Sequence, residues 1–204
     1  MSELKKRRRS RRLDLTIAAV LVGAFALTWG GISVASAAGK ADPSEYIAAL
    51  GSAQTAADQL PARFPASEYG HNGISVETAH FLGAFGSVKF WTAEEVGTGE
   101  LCLISIDAGT GMGAGSCAPP SVLKSSPMSL STRYYGKTVF EAFLVGDAFS
   151  DAQVPSPWVK AGHNLVVVDG ETTTGKEITV TSKSDSQSLT IRRFPDVPDG
   201  AVKP

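Results

Sequence analysis

The chain has 204 residues, 43% apolar and 19% charged, which excludes a disordered chain and leaves room for one ordinary domain plus a targeting segment. Its net charge of −1 conceals a split: residues 1–14 carry seven Lys/Arg against two acidic residues, and the rest carries 12 against 18. The body is therefore acidic, which argues against phosphate-backbone binding and so against a nucleic-acid partner.

The basic block holds Arg7, Arg8, Arg9, Arg11 and Arg12, and residues 15–39 then run for 25 positions without a charge. A helix rises about 1.5 Å per residue, so about 20 such residues cross a hydrocarbon core. Trp29 sits where an interfacial anchor belongs, and the arginines keep the amino terminus cytoplasmic by the positive-inside rule. Two readings stay open. As a signal peptide, the segment ends at an A-x-A junction formed by Ala35 and Ala37. As an uncleaved anchor, it spans 15–38, and its charge-free length exceeds the about 7–15 residues of a usual signal core. Both readings place the remainder outside the cytoplasm. Asp14 occupies the position where a twin-arginine signal would carry an apolar residue.

After a short linker, Asp42-Pro43-Ser44-Glu45 reads as a helix start, with Asp42 as cap and proline at the first helical position. Tyr46, Leu50, Ala53, Ala57 and Leu60 follow as an apolar stripe, and Pro61 closes the predicted juxtamembrane helix, giving a segment of 39–61. A second short helix is expected within 75–84. From residue 88 the period becomes two. Strands are expected at 88–92, 100–107, 128–133, 139–145, 164–168, 177–181 and 188–193. In 100–107 both faces are apolar, Leu101 and Leu103 on one and Cys102, Ile104 and Ile106 on the other, so this strand should lie inside its sheet. The adjacent aromatics Phe90-Trp91 and Tyr134-Tyr135 should each divide into a core residue and an exposed one. Residues 196–204 read as a flexible tail.

Cys102 and Cys117 are the two cysteines of the chain. In an antiparallel hairpin, opposed residues have a constant index sum, and pairing 102 with 117 centres the turn between Gly109 and Thr110. Ile104 would then face Gly115 and Ile106 would face Gly113. A cross-strand disulfide is the expectation in an oxidising compartment. The alternatives, a metal pair or a redox dithiol, would need further ligands or a C-x-x-C, and His71, His80 and His163 are not in zinc spacing.

Ser121-Val122-Leu123-Lys124 matches S-x-x-K, in which lysine can take the serine proton, but its companion S-D-N and K-T-G signatures are missing. Pro119-Pro120 before it gives an equally good reading as a surface turn. The glycines at 109–115 do not complete a dinucleotide fingerprint and suit a hairpin tip. Asp147, Asp151 and Asp169 lack the spacing of an EF-hand loop. The sequence thus points to no cofactor and no metal.

The run Gly99-Glu100-Leu101-Cys102-Leu103-Ile104 with Gly115-Ser116-Cys117, behind a basic amino-terminal anchor and an aromatic strand, resembles a group of actinobacterial single-pass membrane or exported proteins. Leu144-Val145-Gly146-Asp147 through Asn164-Leu165-Val166-Val167-Val168 is similar to that group's closing β-segment, although Val145-Gly146-Asp147-Ala148 replaces its Pro-Asp-Gly turn. The resemblance implies an architecture and no activity. The fold expected is α+β and β-rich: an amino-terminal transmembrane helix, one or two short helices, then a mostly antiparallel sheet or small sandwich or barrel. The domain of 62–195 is expected to act outside the cytoplasm as a non-catalytic binding or interaction module. The lipid bilayer and an unidentified envelope protein or ligand are its partners. An envelope serine hydrolase using Ser121 and Lys124 is the alternative.

Overall fold

A computed structural model of the protein describes residues 41–134, 137–172, 174–182 and 186–195, without the side chains of 133, 134, 137 and 138. The predicted anchor with its arginines, Trp29, Ala35 and Ala37 lies outside the described residues, as do residues 196–204. The described residues belong to one unit, Ala37–Pro204.

Among the described residues ten strands form three open antiparallel sheets. β1 (Ile74–Phe85), β2 (Val88–Glu95), β3 (Leu101–Asp107) and β4 (Gly113–Ala118) make a meander in that order. β5 (Met128–Tyr134), β6 (Lys137–Leu144), β8 (Leu165–Asp169) and β7 (Val159–Lys160) make a second sheet, ordered β5-β6-β8-β7. β9 (Glu177–Thr181) and β10 (Ser188–Arg192) form a separate hairpin. Helical structure among the described residues is limited to 3-10 turns of at most five residues, and none is long or apolar enough to cross a membrane.

Alternation along the strands explains the layering, because successive side chains point to opposite faces. Val88, Phe90, Leu101 and Leu103 of the first sheet meet Leu130, Phe140, Ala142, Leu144, Leu165 and Val167 of the second in one buried core. Phe90 and Phe140 meet edge to face with centroids 5.3 Å apart. The other face of the second sheet, through Phe143, Val145, Val166 and Val168, is covered by Ile178, Val180, Leu189 and Ile191 of the hairpin. The intervening hairpin residues Thr179, Thr181, Ser188 and Thr190 are exposed, the pattern of a sheet with one wet face. Buried Glu141 on β6 accepts from Arg193 Nε at 3.0 Å and from the Phe194 amide at 2.8 Å, which fastens the hairpin to the sheet.

The outer face of the first sheet is also buried, and this corrects one expectation. Both Phe90 and Trp91 are in the core, at 0% and 3% exposure. Leu60, Phe64 and Tyr69 pack over Trp91, Cys102, Ile104 and Ile106. Glycines on β4 make room for this cover. A Cβ on Gly115 would come within 2.9 Å of the Tyr69 ring, and one on Gly113 within 2.6 Å of its hydroxyl. Phe64 stacks on Tyr69 at 4.6 Å. Where the edge of the first sheet meets the second, the backbones at Gly83 and Gly162 approach so closely that a Cβ on either would strike the opposing carbonyl.

Two predicted helices are not formed. The start at residue 42 is as expected, with Asp42 Oδ1 accepting from the Ser44 amide at 2.9 Å and Pro43 opening a 3-10 turn. That turn ends at Tyr46 because tertiary bonds take over: the Asp147 amide donates to Tyr46 O, and Asp147 Oδ2 accepts from the Ala48 amide. The apolar stripe is then divided, Tyr46 and Leu50 serving the core between the sheets and Leu60 the outer face. Farther along, Gln54 Nε2 donates to the Val76 and Ala79 carbonyls, and Asp58 accepts from the Phe81 amide. The segment thus covers the free edge of β1. Residues 75–84, expected to be helical, form β1 itself. Register shifts between Ser75 and His80 and between Phe81 and Gly83 break its two-residue period, which hid the strand.

Candidate functional site

The β3–β4 hairpin has the predicted register. Cys102 faces Cys117, Ile104 faces Gly115 and Ile106 faces Gly113. The two cysteines are joined in a disulfide, with Cα atoms 4.0 Å apart. β3 lies between β2 and β4, inside its sheet.

Toward the far end of β3 the inward face changes character. Leu101 and Leu103 are followed by Ser105 and Asp107, and here the sandwich opens into a cavity of about 460 Å³. Val88, Ala114 and Phe140 form its apolar wall, with Met112 and Val139 at its exposed rim, at 61% and 44% exposure. Ser105, Ser131 and Thr132 also line it. Among the described residues the hydroxyls of Ser131 and Thr132, like the Thr92 hydroxyl and the indole N–H groups of Trp91 and Trp158, are buried without a hydrogen-bond partner. Buried polar groups are nearly always paired, and leaving one unpaired costs about 1–3 kcal/mol.

Asp107 is the one charged side chain among the described lining residues. Its Oδ1 accepts from the Gly109 amide at 3.0 Å, the Thr110 amide at 2.8 Å and Thr110 Oγ1 at 3.0 Å, while Oδ2 accepts from Ser87 Oγ. The Ser87 hydroxyl and the Thr110 amide, foremost among these donors, hold the carboxyl below its ordinary value. Asp107 is therefore ionised at neutral pH, and its work is local: it closes the turn that builds the rim.

The two residues of the alternative hydrolase reading lie away from this cavity. Ser121 and Lys124 lie in the 3-10 turn Pro120–Lys124, both exposed, and neither lines the cavity. Lys124 Nζ lies 5.5 Å from the centre of the Tyr46 ring, and no hydrogen bond among the described residues joins it to Ser121. The three aspartates are not brought together either. Asp147 holds Ala48 and Asn164, Asp169 caps the Glu171 amide, and Asp151 is exposed. Among the described residues no three His, Cys, Asp or Glu side chains gather in a way that could hold a metal ion. His80 and His163 share a smaller depression of about 220 Å³ with Asp147, and His80 Nδ1 is 3.9 Å from Asp58.

Sequence reading passed over Ser105 and Thr132. Their signal was available as a polar residue entering an inward-facing apolar series, Leu101-Leu103-Ser105 on β3 and Met128-Leu130-Thr132 on β5. No protein-family model, curated protein or solved structure matches this chain.

Proposed function

We propose that the domain is a non-catalytic binding module, held on the outer side of a membrane by residues 15–38, and that a small molecule enters the cavity at the open end of its two sheets. The observation that carries this reading is the cavity itself, about 460 Å³ between the two sheets, with Val88, Ala114 and Phe140 as apolar wall and Ser105, Ser131 and Thr132 as polar lining. A concave, mostly apolar site with a few polar groups is the usual form of a small-molecule site, and about 300–1,000 Å³ is the usual size. The membrane placement rests on the uncharged stretch behind the arginine cluster and on a cysteine pair suited to oxidising surroundings.

Native mass spectrometry of the full chain, released gently from its own envelope, tests the reading. A bound small molecule should accompany the wild-type protein and be lost from Ala114→Trp, whose indole fills the cavity. A wild-type mass with no such companion, or a companion that persists in folded Ala114→Trp, would refute it.

A further inference from the structure

The chain has two asparagines, Asn72 and Asn164, and only the first precedes a glycine. We propose that Asn72 is a site of spontaneous modification, passing through a succinimide with Gly73 to aspartate and isoaspartate, and that the product loosens the turn Glu95 holds. This turn enters β1 and contributes nothing to the cavity lining, so the modification is independent of the binding reading.

Both reacting groups are free. Asn72 is exposed, and no hydrogen bond among the described residues engages its side chain or the Gly73 N–H. The fold itself requires a glycine at 73: φ is +87° there, and a Cβ would stand 3.1 Å from Ser67 Cα and 3.2 Å from the Ala66 carbonyl oxygen. The side chain that would shield the nitrogen is thus missing by necessity. In the first step the Gly73 nitrogen bonds to Asn72 Cγ, the Cγ–Nδ2 bond breaks, and the proton given up by Gly73 departs with ammonia. Water then cleaves one of the two imide C–N bonds. Cleavage at Cγ gives aspartate, cleavage at the main-chain carbonyl gives isoaspartate, and neither step involves an oxidant or a reductant.

The two comparable positions among the described residues are closed. Asn164 is 3% exposed, its Nδ2 donates to Val145 O at 3.0 Å and to Asp147 Oδ1 at 2.7 Å, and Leu165 follows it. At Asp169-Gly170 the nitrogen is occupied, since the Gly170 N–H donates to Val139 O at 3.0 Å. The consequence at Asn72 falls on Glu95. That carboxylate is 2% exposed and accepts from Thr98 Oγ1 and from the His71 and Asn72 amides. A second carboxylate at position 72 sets a like charge beside one that has left water. Isoaspartate also inserts a methylene into the main chain ahead of Gly73, whose carbonyl accepts from the Val96 amide at 2.9 Å where β1 begins to pair with β2.

The full chain, aged in warm, mildly alkaline buffer with and without urea and then digested with trypsin, tests the site by mass spectrometry. The peptides 64–89 and 161–176 each carry one asparagine and no glutamine. In the folded chain, 64–89 should exchange NH2 for OH and separate into aspartate and isoaspartate forms at least about tenfold faster than 161–176 reacts, a difference of about 1.4 kcal/mol in barrier. Asn72→Gln, whose longer side chain must close a larger ring, should stay unchanged. Hydrogen exchange should show the Val96 amide losing protection in the aged chain and in Asn72→Asp, and keeping it in aged Asn72→Gln. An Asn72 that stays intact in the folded chain overturns the site, and its conversion in urea alone would show the fold to be its protector. Conversion of Asn164 at the same rate overturns the site as well. Conversion that leaves Val96 as protected as before overturns the link to Glu95, as does an Asn72→Asp protein protected like wild type.

Discussion

Arg192 and Arg193 are neighbours with opposite energetic standing. Arg192 Nε meets Glu177 at 3.1 Å on the outside of the β9–β10 hairpin, where the two side chains are 76% and 60% exposed. Exposed pairs of this kind are worth about 0–1 kcal/mol, because water screens the attraction and two long side chains lose freedom. Arg193 points inward, and its guanidinium is 2.9 Å from Glu141, with side-chain exposures of 11% and 3%. It also donates to the carbonyls of Gly170 and Thr172, so one side chain ties β6, the loop after β8 and the end of the hairpin together. Removing one partner of such a pair strands the other charge out of water, at a cost of about 3–5 kcal/mol. Arg193→Met should therefore lower stability in urea by about that amount, and Arg192→Met by less than about 1 kcal/mol. Equal effects of the two substitutions would show that Glu141 is not held by Arg193 in solution.

The hairpin of β3 and β4 shows what a sequence reveals of an element and where it stops. Its register was legible because two cysteines and two glycines fix one index sum, and the structure has that register. Strands β9 and β10 were legible to within a residue, since Ile178, Val180, Leu189 and Ile191 alternate with polar residues on a face covered from one side only. β1 was not legible. Its bulges place Ala79 and His80, consecutive residues, both in the interior, and a two-residue period with such breaks imitates a short helix. The stretch 46–60 failed for the opposite reason. Its helical spacing is real in sequence, yet Asp147 takes the Ala48 amide and the Tyr46 carbonyl that a helix would use, and the Gln54 side chain ties the segment along β1. The cavity was hidden because it depends on which strands of two sheets come to lie opposite each other. The disulfide makes a quantitative prediction at this scale. Closing a loop with a sequence separation of 15 stabilises by about 3 kcal/mol in the chain-entropy model. The double variant Cys102→Ala, Cys117→Ala should lose about that much against the oxidised protein in urea titrations, with reduced wild type behaving alike. A loss well under about 1 kcal/mol would mean that the β3–β4 pairing persists in the unfolded chain.

At the scale of the whole molecule, carboxylates hold three separate loops in place. Asp107 closes the β3–β4 turn at the cavity mouth. Glu95, buried at the end of β2, accepts from Thr98 Oγ1 at 2.5 Å and from the His71 and Asn72 amides, tying the entry of β1 to the β2–β3 turn. Asp58 accepts from Thr55 and from the Phe81 amide and so fixes the segment that covers the β1 edge. All three carboxyls titrate below their ordinary values. For Glu95 the Thr98 hydroxyl and then the His71 amide are the main causes; for Asp58 burial pulls upward, and the Thr55 and Phe81 donors with the nearby His80 outweigh it. A carboxyl whose value is depressed in the folded state binds protons more readily when unfolded, so folding gains from it above the unfolded value, about 4, and loses that gain as pH falls further. The domain should therefore keep a level Tm as pH falls from neutrality to about 5 as far as these groups are concerned, then lose stability progressively below about 4. Opening should begin at the three loops, because there protonation weakens the acceptor that holds their backbone amides. Hydrogen exchange at low pH, read by mass spectrometry, checks both parts. The amides of residues 71, 72, 81, 109 and 110 should lose protection before those of β8 in the centre of the second sheet. Loss of protection in β8 at the same pH as in the loops would show that acid unfolds the sandwich in one step, with no special part played by these carboxylates.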